Sequence, residues 1–219
     1  LVGMSFSIKA GEGWYVPVPE NKDKAFALLS RFKPIFENPK IGKIGQNMKF
    51  DISMLKKYDI EVQGLSFDTM LAHYLIEPDM RHNMDILAQT YLNYSPISIE
   101  KLIGKKGKVQ SSMRDVPLEL IKEYAVEDAD ITMQLKSVFE PIVTGNQISK
   151  VLSEIEMPLI SVLSDMEMAG VKLDSKALND FSGQLLQEII DIQQNIWQHA
   201  GVEFNISSPK QLGDILFDK

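Results

Sequence analysis

The feature of this sequence that most constrains its fold is a long amphipathic segment at residues 117–139. Its apolar residues are spaced by three and four positions, which is the spacing of one face of an α-helix. These residues are Leu118, Ile121, Ala125, Thr132, Leu135 and Phe139. Pro117 suits the first position of a helix. The segment therefore predicts a helix with one buried face.

Asp128 falls on that apolar face. An isolated buried carboxylate costs several kcal/mol or changes its protonation, so Asp128 is expected to have a partner, which is a metal ion, an arginine or a helix cap. Tyr124 lies one turn earlier, so its hydroxyl and the carboxylate project in the same direction. The alternative is a solvated acidic surface, on which Glu123, Glu127 and Asp130 also point to water.

Composition limits the chemistry of any metal site. The chain has no cysteine, and its three histidines, His73, His82 and His199, lie far apart in sequence. Disulfides, iron–sulfur clusters and thiolate zinc sites are therefore excluded, and a histidine-rich metal site is disfavoured. A metal is expected on carboxylates, which favour Mg²⁺ or Mn²⁺.

Charge and hydropathy exclude further classes. With 44% hydrophobic residues, the 219-residue chain can bury a core. Its net charge of −7 argues against a broad phosphate-binding surface, but it does not exclude a local nucleic-acid site. No apolar run is long enough to span a membrane and no signal peptide is visible, so a cytoplasmic location is predicted.

Local patterns predict an α/β part at residues 1–145 and an all-helical part at residues 146–219. Strands are predicted at 1–8, 14–18 and 41–44, the first two joined as a hairpin. Helices are predicted at 23–36, 48–58, 69–75, 84–92, 117–139, 148–169 and 175–200. A basic loop with Lys105, Lys106 and Lys108 is expected to be solvated.

A second candidate group lies in GQNMKFD, residues 45–51, where a short strand leads into a helix. Asn47 and Asp51 are one turn apart at the start of that helix. Strand ends and helix N-termini collect functional groups in α/β folds, and a helix N-terminus favours anions such as phosphate. Taken alone, the pattern also fits a helix cap followed by a solvated aspartate.

Taken together, GQNMKFD, FDTMLAHYLI, RHNMD and EYAVEDAD resemble the 3′–5′ proofreading exonuclease domain of the bacterial DNA polymerase I family, family A. EIEMPLISVLSDMEMAGVKLD and EFNISSPKQLGDILF are similar to the segment that joins this domain to the polymerase and to the start of its thumb. The resemblance covers essentially the whole chain. It implies an α/β, ribonuclease H-like fold with a mixed sheet flanked by helices, followed by a helical extension.

The resemblance also implies a chemistry. The family hydrolyses the 3′-terminal phosphodiester of single-stranded DNA with two divalent metal ions, and the parent protein would be a DNA polymerase of replication and repair. By motif match, Asp128 would bind one metal directly, Asp51 would hold the other largely through water, and Tyr124 would orient the attacking water. The residues implied to contact the terminal nucleotides are Gln46, Asn47 and Arg81. For Arg81, an ion pair with a surface carboxylate is the alternative.

One family motif is missing. The family takes its other two carboxylates from an Asp-x-Glu on the strand that precedes LVGMSFSI, and this sequence has no such motif there. We therefore expect an N-terminally truncated exonuclease domain with an incomplete two-metal site, inactive or nearly so on its own. Exposed strand edges are also expected to pair or swap into a dimer.

Two other functions fit the same motifs. Some family A polymerases keep the exonuclease fold only as a catalytically silent scaffold. The presence of Asp51, Asp128 and Tyr124 argues against this, whereas the missing motif leaves it open. An RNA-processing exoribonuclease of the ribonuclease D type would share the YAxxD and NxxxD elements but would not explain the thumb-like C-terminus.

Overall fold

The computed structural model describes residues 1–105, 107 and 110–217. Lys106 and Lys108 of the predicted basic loop lie outside the described residues. Over the residues that are described, no helix is long and apolar enough to cross a membrane.

The chain divides into two compact units, Leu1–Gly170 and Val171–Lys219. The boundary predicted near residue 145 falls inside the first unit, because a helix that begins at Met157 still packs against the helix that begins at Met48. The division into functional domains at 145 stays a prediction.

The strands of the first unit form two pairs. β1 (Gly3–Lys9) and β2 (Glu12–Pro17) are antiparallel, as expected for a hairpin. β3 (Lys43–Gly45) and β4 (Leu65–Asp68) are parallel, and the chain between them crosses over through a helix, as parallel pairing requires. The strands are mixed in direction as expected, but in the part of the chain that is described they form two separate sheets.

Helices surround these strands. Their bounds are α1 (Lys22–Ser30), α2 (Lys33–Phe36), α3 (Met48–Lys56), α4 (Thr69–Ile76), α5 (Met84–Leu92), α6 (Ile99–Ile103), α7 (Leu118–Gly145), α8 (Ser149–Val151) and α9 (Met157–Ala169). A π-helical turn, Leu152–Glu156, separates α8 from α9. We attribute this turn to Pro158, which has no N–H to donate to the preceding turn of the helix.

α7 is the central helix of the first unit and packs against β1, β2, β3, α4 and α5. It extends past the predicted end at residue 139. Leu118 at its start is half exposed. The buried residues of the predicted face are Ile121, Thr132, Leu135 and Phe139. The 3.6-residue periodicity therefore predicted these four positions correctly, whereas Leu118 is half exposed and Ala125 is only partly buried.

Two groups of buried apolar residues form the core. The larger one joins α7 to α3, α4, α5 and α9, and it includes Ile52, Leu87, Leu135, Phe139 and Ile160. The smaller one lies under the hairpin and includes Met4, Val18, Ala25, Leu29 and Ile60. The junction of β3 with α3, where the second candidate group lies, is held by the larger group.

The second unit consists of two helices. α10 (Ser175–Ala200) is capped by the Asp174 carboxylate, which accepts a bond from the Ala177 N–H at 2.9 Å, and it ends at Gly201 with φ 68°. Trp197 donates its indole N–H to the Phe204 carbonyl at 2.9 Å. α11 (Pro209–Phe217) follows with proline at its first position. α10 agrees with the helix predicted at residues 175–200.

Candidate active site

The junction between β3 and α3 holds Asn47 in the left-handed conformation, with φ 62° and ψ 50°. Asparagine tolerates this conformation better than most residues. Its side chain is exposed and makes no capping bond to α3. The predicted alternative, in which Asn47 caps α3, is therefore wrong, and its side chain is free to face a ligand.

Asp68 performs the capping instead. Its side chain is almost completely buried, and its Oδ2 accepts the Met48 N–H at 2.7 Å while Oδ1 accepts the Asn47 N–H at 3.3 Å. The same Oδ1 accepts the N–H groups of Met70 at 2.9 Å and Leu71 at 3.2 Å, which caps α4. One carboxylate therefore ties together the first turns of α3 and α4. The bond to α3 joins residues far apart in sequence, so local patterns did not reveal it.

Asp51 lies one turn into α3. Part of the residue is open to solvent, yet protein atoms crowd its carboxyl group. This burial is the main cause that raises the pKa of Asp51 to about 6, and the negative charge of Asp68 is the second cause. No positively charged group is among those that shift the pKa of Asp51, so its negative charge is not compensated.

Asp128 and Tyr124 lie together on α7, as the spacing predicts. Burial is the main cause that raises the pKa of Asp128 to about 7, and the charges of Glu127 and Asp85 add to it. A hydrogen bond from the Tyr124 hydroxyl acts in the opposite direction. Burial and the Asp128 carboxylate raise the pKa of Tyr124, so its hydroxyl keeps its proton at neutral pH.

Two of the neighbouring acids of α7 form hydrogen bonds to other parts of the chain. Glu127 accepts bonds from the Tyr94 hydroxyl and the Ile97 N–H, both at 2.6 Å. Asp130 accepts the Gly11 N–H of the hairpin turn at 2.7 Å. The alternative of an acidic helix that points to water is therefore wrong for Glu127 and Asp130, which tie loops to the helix.

Gln46 and Arg81 belong to different surroundings. Gln46 accepts a hydrogen bond from the Thr69 hydroxyl and donates from Nε2 to the His82 carbonyl at 2.8 Å. Gln46 is thus engaged within the protein and joins the β3–α3 junction to the loop that carries Arg81. The Arg81 side chain is exposed and takes part in none of the ion pairs among the described residues, so the predicted surface ion pair is absent there.

Comparison with known proteins decides the family. The family model for the 3′–5′ exonuclease of A-type DNA polymerases matches residues 1–144. The chain belongs to this exonuclease family. DNA polymerase I of Pseudomonas aeruginosa is 39% identical to it over 100% of this chain and 25% of its own length, and that of Borreliella burgdorferi is 38% identical over 100% and 24%. The chain therefore spans about a quarter of the length of these relatives.

A solved structure has the same fold. It is described as the POL domain of Pol1 from M. smegmatis in complex with DNA primer-template and dNTP, and it matches with a TM-score of 0.74 at 23% identity. The match covers 95% of this chain and 32% of that chain. The predicted ribonuclease H-like exonuclease fold is thus confirmed, although the strands form two pairs.

Exonucleases of this family use divalent metal ions. The oxygen ligands that Asp51 and Asp128 offer fit such ions, because neither carboxylate has a cation among the groups that shift its pKa. In the described residues, however, no group of three or more histidine, aspartate or glutamate side chains converges to hold a metal. The described residues therefore offer separate carboxylates rather than a convergent set.

Two Asp-x-Glu sequences occur elsewhere in the exonuclease chain, and neither lies on a strand. The first comprises Asp59 and Glu61, which follow α3, where Asp59 is in a left-handed turn. The second comprises Asp165 and Glu167 on α9, and both form ion pairs with lysines of α3. Neither pair therefore supplies the missing family motif.

Proposed function

We propose that this chain is part of the proofreading domain of a DNA polymerase I, and that the complete domain hydrolyses the 3′-terminal phosphodiester of single-stranded DNA. The family match of residues 1–144 is the observation that carries the proposal. Asp51, Asp128 and the protonated Tyr124 hydroxyl support it, because carboxylates can hold divalent metal ions and a hydroxyl can orient a water molecule. The parent protein is then a DNA-directed DNA polymerase, as its relatives are named.

Asp128 and Asp51 are the residues that would hold the metals, which we take to be Mg²⁺ or Mn²⁺ because both ligands are carboxylates. Such ions, when bound, lower the pKa of water and stabilise the leaving oxygen. A carboxylate whose pKa is raised by burial gains most from a nearby cation, because the cation restores the charged form. This favours Asp128 as the direct ligand.

The other residues bind and orient. The Tyr124 hydroxyl keeps its proton and is held beside Asp128, so it can fix the position of a water next to that carboxylate. The exposed Asn47 amide at the start of α3 and the exposed Arg81 guanidinium offer hydrogen bonds to the terminal nucleotides. Gln46 supports this surface from within, through its bond to the His82 carbonyl.

We infer that the 219-residue chain alone is inactive or nearly so. Mg²⁺ affinity depends on how many carboxylates converge, and the described residues bring no group of three together. The Asp-x-Glu that the family places before LVGMSFSI is not in this sequence. The two-metal site is therefore incomplete in this chain.

The test is digestion of a 5′-labelled single-stranded oligodeoxynucleotide with Mg²⁺ or Mn²⁺. The 219-residue chain is compared with a version extended upstream by roughly 25 parental residues, enough for a strand or two. We expect only the extended chain to release mononucleotides, and Asp128→Ala to abolish this release. Glu140→Gln, an exposed carboxylate near the other end of the same helix, is the matched control and should leave it unchanged.

The outcomes separate the alternatives. Cleavage by the 219-residue chain would disprove its inactivity. No cleavage by either folded chain would favour a silent scaffold, which the absence of a three-ligand group in the described part of the chain also fits. An extended chain that prefers an RNA oligonucleotide would favour the exoribonuclease.

A further inference from the structure

The loop between α4 and α5 carries Arg81 and is tied to the protein by His82. The Nδ1 atoms of His82 and His73 are 2.7 Å apart, which is a hydrogen bond between the two rings. His73 lies on α4 and has no exposed surface, and its Nε2 is 3.0 Å from the hydroxyl of Tyr91 on α5. The rings therefore form a chain that runs from the loop through α4 to α5.

The backbone of His82 is held at a second point. Its carbonyl accepts the Gln46 Nε2–H at 2.8 Å, and Gln46 is fixed in turn by the Thr69 hydroxyl. Within the described structure the loop has no helix or strand of its own. Both ends of His82, its ring and its carbonyl, are thus bound to rigid elements, whereas the adjacent Arg81 side chain is exposed.

The contact with His73 requires a side chain at position 82 that can form a hydrogen bond. At a separation of 2.7 Å, one Nδ1 must carry a proton and the other a lone pair. One ring therefore donates this hydrogen bond and the other accepts it. Burial lowers the pKa of His73, which favours its neutral form. An apolar side chain at position 82 would leave the buried Nδ1 of His73 without a partner.

We propose that His82 is a positioning residue, which fixes the loop against Gln46 and thereby places Arg81 beside the β3–α3 junction for DNA binding. The inference rests on the proposed function, since Arg81 is assigned to DNA only there. The guanidinium has no ion pair of its own in the described structure, so its placement depends on its backbone.

The first measurement is amide hydrogen exchange of the 219-residue chain, with the hydrogen-bonded N–H groups of Glu77 and Met80 as reporters. We expect His82→Leu to speed their exchange about three- to tenfold, which is the effect of losing one ordinary hydrogen bond. His82→Asn should restore slow exchange, because an asparagine side-chain atom takes the position of Nδ1. His199→Leu, an exposed histidine of α10, is the control and should change nothing.

The second measurement is the anisotropy of a fluorescein-labelled single-stranded oligodeoxynucleotide, titrated with each variant without added metal. We expect His82→Leu and Arg81→Gln to weaken binding by a similar factor, about three- to tenfold. The double variant should be no weaker than Arg81→Gln alone, because both changes remove the same contact. His82→Asn should bind as the unchanged protein does.

Two results would overturn the proposal. One is unchanged exchange of Glu77 and Met80 in His82→Leu. The other is normal DNA affinity of His82→Leu when Arg81→Gln is weakened. A different result, fast exchange in His82→Leu with normal affinity of Arg81→Gln, would support the fixing of the loop but disprove the assigned DNA contact of Arg81.

Discussion

Replacement of Asp128 by asparagine should make the folded protein more stable at neutral and alkaline pH. Burial raises the pKa of Asp128 from 3.8 to about 7. The folded state therefore binds a proton that the unfolded state has lost, and above pH 7 the protein must keep a charged carboxylate in a poorly solvated place. Asparagine has a similar shape without this charge, and its carbonyl still accepts a bond from the Tyr124 hydroxyl.

The size of this stability difference follows from the shift in the pKa of Asp128. A difference of about three pKa units corresponds to about 4 kcal/mol at 1.36 kcal/mol per unit. Asp128 is partly exposed, so solvent screening reduces this to about 1–3 kcal/mol. Because the pKa of this carboxyl group is raised in the folded state, the wild-type chain loses stability as the pH rises. The destabilisation of the wild-type chain is complete above pH 7, decreases as the pH falls from about 7 to about 4, and is absent below that.

Urea unfolding of the wild-type chain and of Asp128→Asn at pH 8 and pH 5.5 measures this effect. We expect the variant to be more stable at pH 8 and its advantage to shrink at pH 5.5. Glu140→Gln serves as the matched control on the same helix and should show no such dependence. An Asp128→Asn chain that is less stable at pH 8, or whose advantage does not change with pH, would refute the burial of an uncompensated charge.

Three further predictions concern the supports of the site. Asp68→Asn should lower the free energy of unfolding by about 1.5–3 kcal/mol in urea titrations, because the amide at the position of Oδ2 cannot accept the Met48 N–H. Asp68→Ala should cost more, because it also removes the bonds to Oδ1, and an unchanged free energy of unfolding in Asp68→Asn would contradict the role of Oδ2. Glu127→Ala should cost about 1–3 kcal/mol by the same assay, because it leaves two bonding partners at 2.6 Å unpaired, and a smaller loss would mean that water replaces the carboxylate. Light scattering should detect a dimer of the 219-residue chain through its exposed strand edges, whereas a monomer at all concentrations would disprove edge pairing.

Much of the local structure was predictable because it depends on neighbouring residues. α5 occupies residues 84–92 as predicted, since an apolar repeat with an N-terminal polar cap is a local signal. β4 and α6 were not predicted, because segments of four or five residues carry too few repeats to show a period. The left-handed backbone of Asn47 was also missed, since asparagine adopts this conformation only where its surroundings impose it.

The sequence by itself determined the longer helices, the family and the position of Asp128 beside Tyr124, because periodicity and motif spacing are properties of adjacent turns. Only the tertiary structure decided that Asp68 caps two helices and that Gln46 holds the loop of Arg81. It also decided that Asp130 binds the hairpin turn at Gly11. These contacts join residues that are distant along the chain. Their partners depend on how the helices pack around α7, which no local pattern specifies.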